Sequence, residues 1–212
     1  MNLEEINSKV MTADTQKGIS PDDALAILKA GNQRFLEKKM IPRNLNGQVE
    51  ATGGGQAPFA AVVGCIDSRV PAEMVFDQGI GDIFNARIAG NFVNNDILGS
   101  LEFACKVAGS KLILVLGHTS CGAVKGACDG VELGNLTGML ENLKPALDSV
   151  DESGDRSAAN PGFVQKVADA NVKLTCQAIQ DGSSVLKEMV DNGEIKVVGG
   201  MYDVKSGKVT FF

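Results

Sequence analysis

Two short, wholly apolar runs dominate this chain, and each ends on a residue with a soft metal-binding atom. The first, Phe59-Ala-Ala-Val-Val-Gly, runs into Cys65. The second, Leu112-Ile-Leu-Val-Leu-Gly, runs into His118, with Cys121 three residues further on. Runs this short and this apolar read as strands covered on both faces. Further strand-like runs fall at 83–88 and 195–198, and a last piece, Tyr202 to Phe212, reads as a hairpin around Ser206-Gly207.

Helical patterns lie between the strands. One begins near Pro71, and others cover about 95–108, 136–149 and 163–180, with a short one ending at Gly193. Upstream, Ser20-Pro21-Asp22-Asp23 is a helix start: serine caps, proline fits the first turn, and two acids face the positive end of the dipole. Ala24, Leu25, Ile27, Leu28 and Phe35 follow on one apolar face. Residues 42–58, rich in Gly, Asn and Pro, read as a loop. The expectation is an α/β fold with a central, mostly parallel β-sheet flanked by helices. The chain of 212 residues, 44% hydrophobic, fits a single domain spanning 1–212.

In such sheets ligands gather at the carboxyl ends of the strands, where Cys65 and His118 both fall. Neighbouring parallel strands would bring them together with Cys121. Two thiolates and one imidazole suit zinc, one ion per chain. Three protein ligands leave a fourth position for water or substrate, as in catalytic zinc sites; a structural zinc would fill it with protein. Cys65-Ile-Asp67-Ser-Arg69 adds a carboxylate two residues beyond a ligand. Asp67 either accepts a hydrogen bond from water at the metal or binds the metal itself. Arg69 can hold it through a bidentate pair.

Cys-x-Asp-x-Arg at 65–69 and His-x-x-Cys at 118–121 resemble the β-class carbonic anhydrases. Gly81-Asp-Ile-Phe84, Arg87-Ile-Ala-Gly-Asn91 and Gly199-Gly-Met-Tyr-Asp203 also look like that family. The resemblance implies reversible hydration of carbon dioxide to bicarbonate and a proton by a zinc-bound hydroxide. It assigns Cys65, His118 and Cys121 to the metal and makes Asp67 and Arg69 the catalytic dyad. Gln56 would contact substrate, Phe84 with Ile88 or Ala89 would line an apolar carbon dioxide pocket, and Gly122 would offer its N–H to bicarbonate. It further implies a homodimer or homotetramer, in which an N-terminal helical arm (1–40) reaches a second subunit and Gln56 and Phe84 face the partner's zinc. The arm's apolar face could equally pack within its own chain. A carbonyl sulfide or carbon disulfide hydrolase on the same scaffold, and a non-catalytic zinc-binding protein, share the ligand pattern.

The remaining features narrow the setting. A net charge of -6 argues against a nucleic-acid surface. No apolar stretch reaches the ~18 residues of a membrane span. The N-terminus shows no signal peptide, and thiols that must stay reduced point to the cytoplasm, or to the periplasm had a signal been removed. His118 is the single histidine, so no second imidazole is present as a proton shuttle, and the absence of tryptophan argues against an inhibitory bicarbonate pocket built on that residue. Cys105 and Cys176 read as small core residues, Cys128 as an ordinary thiol, and Glu73 and Asp77 as surface acids. Glu102 is a weaker candidate for a role behind the ligands.

Overall fold

The computed structural model describes residues 9–212. Ala13–Lys17 (α1), Pro21–Leu36 (α2) and Leu45–Thr52 (α3) precede the first strand, Ala60–Gly64 (β1). Ala72–Val75 (α4) leads to Ile83–Arg87 (β2), and Asn95–Glu102 (α5) to Leu112–His118 (β3). Four helices follow β3 in turn: Gly122–Cys128 (α6), Gly134–Leu140 (α7), Lys144–Ser149 (α8) and Pro161–Gly182 (α9). Ser184–Asp191 (α10), Lys196–Tyr202 (β4) and Val209–Phe211 (β5) close the chain.

The sheet order is β2-β1-β3-β4-β5. The first three pairings are parallel and β4–β5 is antiparallel. The two-residue period of a strand divides each apolar run between two cores. Ala60, Val62, Leu112, Leu114 and Leu116 pack on one face with Ile27 and Leu28 of α2 and with Phe59 and Phe76. Ala61, Val63, Cys65, Ile113 and Val115 face the other way, onto Phe163, Val167 and Val172 of α9.

Helix α2 starts at the expected cap. Ser20 Oγ accepts from the Asp23 N–H while the Asp23 carboxylate accepts from the Ser20 N–H. Its apolar face covers the sheet of its own chain. Asn32 ties that contact down, donating to the carbonyls of Val75 and Gly207 and accepting from the Val209 N–H. Residues 1–8 of the N-terminal arm lie outside the described residues.

Several sequence expectations need correction. The loop at 42–58 contains helix α3, because Asn44, a turn residue by composition, serves as its cap and accepts from the Gly47 N–H at 3.1 Å. The helix at 136–149 is broken into α7, a 3-10 turn over Glu141–Leu143, and α8, where Pro145 sits in the first turn. The 95–108 helix changes at Phe103–Val107 into a π-helical turn. Strand β4 runs on through Gly199 and Gly200 to form the first arm of the terminal hairpin. Glycine is required there by packing: a Cβ on Gly199 would lie 2.9 Å from Val172 and 3.0 Å from the Phe212 ring.

Asp77 is the clearest reversal. It is fully buried, and Arg34 and Arg43 both donate to its carboxylate, as does the Ile41 N–H. Both arginines lie in stretches distant from Asp77 in sequence, so local reading had no sight of them. Glu73 is exposed, as expected, and Glu102 accepts from Ser183 Oγ at 2.6 Å, joining α5 to the cap of α10.

Candidate metal centre

Strands β1 and β3 are neighbours with Gly64 opposite Leu116, so their carboxyl ends deliver Cys65 and His118 to one place. Cys121 closes the group from the turn beyond β3, at the residue just before α6. The three donor atoms lie within 4.8 Å of one another, and all three residues are buried. Among the described residues this cluster has no fourth member.

The imidazole is oriented by its own backbone. His118 Nδ1 lies 3.0 Å from the Thr119 carbonyl oxygen, so Nδ1 carries the proton and Nε2 keeps its lone pair. Nε2 is buried and has no hydrogen-bond partner. An orphaned acceptor of this kind, set between two thiols, fits a soft divalent ion. Thr119 is itself held: its N–H donates to the Tyr202 carbonyl, and its hydroxyl meets Asp203 and the Val204 N–H.

The two sulfurs shift each other in opposite directions. The neighbouring Cys121 thiol, with the Gly90 N–H, pulls the Cys65 thiol well below the usual thiol range. The same contact, with burial, pushes Cys121 up. A divalent ion would bind both sulfurs as thiolates and displace their protons.

Asp67 stands beside this group but is turned toward Arg69. Arg69 Nε donates to Oδ1 at 2.9 Å and Nη2 to Oδ2 at 2.7 Å, and the Arg69 N–H adds a third bond at 2.9 Å. These bonds hold the carboxyl at about 2. Oδ2 lies 3.8 Å from His118 Nε2.

Arg87 had no role in the sequence reading, though it opens one of the quoted motifs. Its guanidinium donates to the Cys65 carbonyl at 2.8 Å and the Asp67 carbonyl at 2.6 Å, clamping both residues in one grip. The available signal was a lone cation near the end of the strand-like run at 83–88.

Gly122, the first residue of α6, and the half-buried Ile88 and Ala89 also belong to this end of the sheet; the Ile88 N–H donates to the Gly64 carbonyl. Gln56 and Phe84 do not. Gln56 is exposed on the loop before β1, and Phe84 pairs with Ala61. Cys65 is four strand positions beyond Ala61, or about 13 Å at ~3.3 Å per residue. Phe84 packs edge-on to Phe103, with centroids 6.2 Å apart, beside a cavity of about 540 Å³.

The carbonic anhydrase family model matches residues 60–209, which contain every residue of this centre. Carbonic anhydrase 2 of Mycobacterium tuberculosis is 35% identical over 197 residues, covering 89% of this chain and 91% of that protein. The carbonic anhydrase of Mycolicibacterium smegmatis is 34% identical over 192 residues, covering 90% and 92%. Among solved structures, the β-carbonic anhydrase CafA of Aspergillus fumigatus aligns with a TM-score of 0.67 at 28% identity, covering 90% of this chain and 89% of that one. One of the two tetrameric β-carbonic anhydrases of Sordaria macrospora aligns at 0.65 and 25% identity, covering 79% and 90%. With the family model spanning most of the chain and its sheet matching solved members, the protein belongs to the β-class carbonic anhydrases, the carbonate dehydratases among the lyases.

Proposed function

We propose that this protein catalyses the reversible hydration of carbon dioxide with one zinc ion per chain held by Cys65, His118 and Cys121. The observation that carries the reading is the buried, unpartnered His118 Nε2 facing two thiols within 4.8 Å. When bound, zinc supplies a Lewis acid that lowers the pKa of water and so provides a nucleophile near neutral pH.

The chain's own groups do the rest. Arg69 keeps Asp67 from filling the fourth position, and Asp67 orients the attacking water as an acceptor. Arg87 fixes the carbonyls on either side, so this acceptor does not drift from the ligand. Gly122 offers its N–H to bicarbonate, and Ile88 and Ala89 line the apolar approach for carbon dioxide.

Gln56 and Phe84 act in this reading on a second subunit's centre. The register of Phe84, about 13 Å up the strand from Cys65, supports it, as do the exposure of Gln56 and the exposed edge of β2, with Asn85 and Arg87 open to solvent. A homodimer is the smallest assembly that completes both sites, and a tetramer is two of them. The chain acts as one domain over 1–212. No helix among the described residues is long and apolar enough to cross a membrane; the need for reduced thiols favours the cytoplasm.

Stopped-flow carbon dioxide hydration, with and without a zinc chelator, on wild type and Asp67→Asn, tests the reading when zinc content is measured on the same samples. Stoichiometric zinc, chelator-sensitive turnover and a large loss in Asp67→Asn are expected. Turnover of carbonyl sulfide or carbon disulfide in place of carbon dioxide would shift the assignment to a hydrolase on the same scaffold, and a metal-free active protein would end it.

A further inference from the structure

The turn after β2 passes close to the metal centre, and a helix far along the chain bonds to it. The Gly90 N–H points at the Cys65 sulfur, 3.4 Å away and buried. Gly90 has φ +85°, a conformation that favours glycine, and a Cβ there would lie 2.9 Å from the Leu143 side chain. The neighbouring Asn91 also has positive φ, 44°. The Asn91 N–H closes this turn on the Ile88 carbonyl at 2.9 Å, and the Gly90 carbonyl takes its partner from outside the turn. On the far side of the same peptide-bonded residue, the Gly90 carbonyl accepts from Asn171 Nδ2 at 2.7 Å. Asn171 lies on α9, is 3% exposed, and makes this contact on a buried face beside Val167, Ala168 and Val172. A buried amide among aliphatic side chains costs stability unless it is satisfied, and here its partner is the residue that addresses a ligand.

We propose that Asn171 is a positioning residue of the metal centre: by holding the Gly90 carbonyl, it aims the Gly90 N–H at the Cys65 sulfur. The inference rests on Cys65 being a zinc ligand. A donor to a metal-bound thiolate withdraws charge from sulfur, fixes its direction and strengthens the site's grip; groups acting at this remove typically alter metal affinity ~10–100-fold. Asn171 thus ties the packing of α9 on the sheet to the electronics of one sulfur.

The test compares zinc-loaded wild type, Asn171→Asp, Asn171→Ala and Thr175→Val. Thr175 is also buried on α9 and serves as the packing control. Competition with a chromogenic chelator should show zinc held ~10–100-fold more weakly in both Asn171 variants and at wild-type strength in Thr175→Val. In the cobalt-substituted proteins, the sulfur-to-metal charge-transfer band should move to longer wavelength in the Asn171 variants alone, because a sulfur without its donor gives up charge more readily. Asn171 variants that bind zinc as tightly as Thr175→Val, with the band unmoved, would overturn the proposal while leaving the zinc assignment standing. Wild type that holds no zinc would overturn both. If neither variant folds, wild-type protein loaded with cadmium-113 decides the matter: a scalar coupling from the Gly90 amide proton to the metal is expected, and its absence overturns the proposal.

Discussion

Both carboxylate oxygens of Asp67 are taken by Arg69, although Oδ2 stands only 3.8 Å from the nitrogen that His118 offers to a metal. A carboxylate that close to a cation would bind it unless something holds it back, and the bidentate guanidinium is what does so. Arg69→Leu should therefore free Asp67 to occupy the fourth position. The expected result is a loss of kcat/KM on the order of 100-fold or more, with zinc content unchanged. Asp67 stays ionised at neutral pH, but hydroxide formed at the metal competes with it for that position, so the loss should shrink as pH rises from 6 to 9; a defect that grows with pH would contradict the argument.

The same pair sets a stability signature at acid pH. Arg69 lowers the Asp67 carboxyl from its ordinary 3.8 to about 2. A depressed folded-state pKa gives stability that is fully present above the unfolded value and is lost as pH falls through the folded one. In zinc-free protein, the difference in unfolding free energy between wild type and Arg69→Leu should hold above pH 4 and close between pH 4 and 2. Urea titrations at four or five pH values would measure it; the effect is small because Arg69 is half exposed.

Zinc removal should disable the enzyme without dismantling it. The two cores on either side of the sheet are built from aliphatic and aromatic side chains. The centre sits at their edge, so the apoprotein should keep its far-ultraviolet circular dichroism. It should melt lower than the loaded form, by an amount that grows with free zinc: a ligand at 100 times its Kd stabilises by about 2.7 kcal/mol. His118→Ala should lose both the metal and this zinc-dependent shift. A cooperative collapse of the whole fold on chelation would show that the ion is structural.

The Cys65–His118–Cys121 cluster and the Asp67–Arg69 pair were legible because each is carried by a local pattern. An apolar run that stops at Cys65 or His118 states both that a strand is buried and where it ends, and a parallel sheet then brings the two ends together. Asp67 and Arg69 travel with Cys65. What stayed hidden was everything made by distant pairing. Asp77 looked exposed because its two arginines come from α2 and from the segment before α3. Helix α3 was lost because Asn44 and Gly47 are as typical of turns as of a capped start. Gly199 and Gly200 broke the pattern of β4, since nothing in a single strand announces that α9 and Phe212 press too closely for a side chain.

The concealed acid makes its own prediction. Asp77 takes φ 47°, which asparagine tolerates nearly as well, so Asp77→Asn removes charge with little added backbone strain. It leaves Arg34 and Arg43 facing a neutral amide in a site where the side chain at 77 is wholly buried. Breaking one side of a buried ion pair costs roughly 3–5 kcal/mol, so the urea midpoint should fall steeply while zinc affinity in the folded protein is retained. A midpoint within experimental error of wild type would mean that the two arginines find compensation elsewhere.

Proton export is the step for which this chain has the least machinery. Its single histidine is bound up in the metal centre. Tyr202 lies beside it across the β3–β4 ladder, but burial raises that phenol above its ordinary value, which keeps it from giving up a proton near neutral pH. Asp203 is held below its ordinary value by Ser206, so it accepts protons poorly at that pH. External buffer must then carry the proton away. Raising an imidazole buffer at constant pH and ionic strength should increase kcat severalfold and leave kcat/KM unchanged, because kcat/KM reports the carbon dioxide step that precedes proton transfer. Placing a histidine on the exposed rim of the centre, as in Ser120→His, should flatten that dependence. A kcat indifferent to buffer in the wild type would point to an internal relay among groups other than Tyr202 and Asp203.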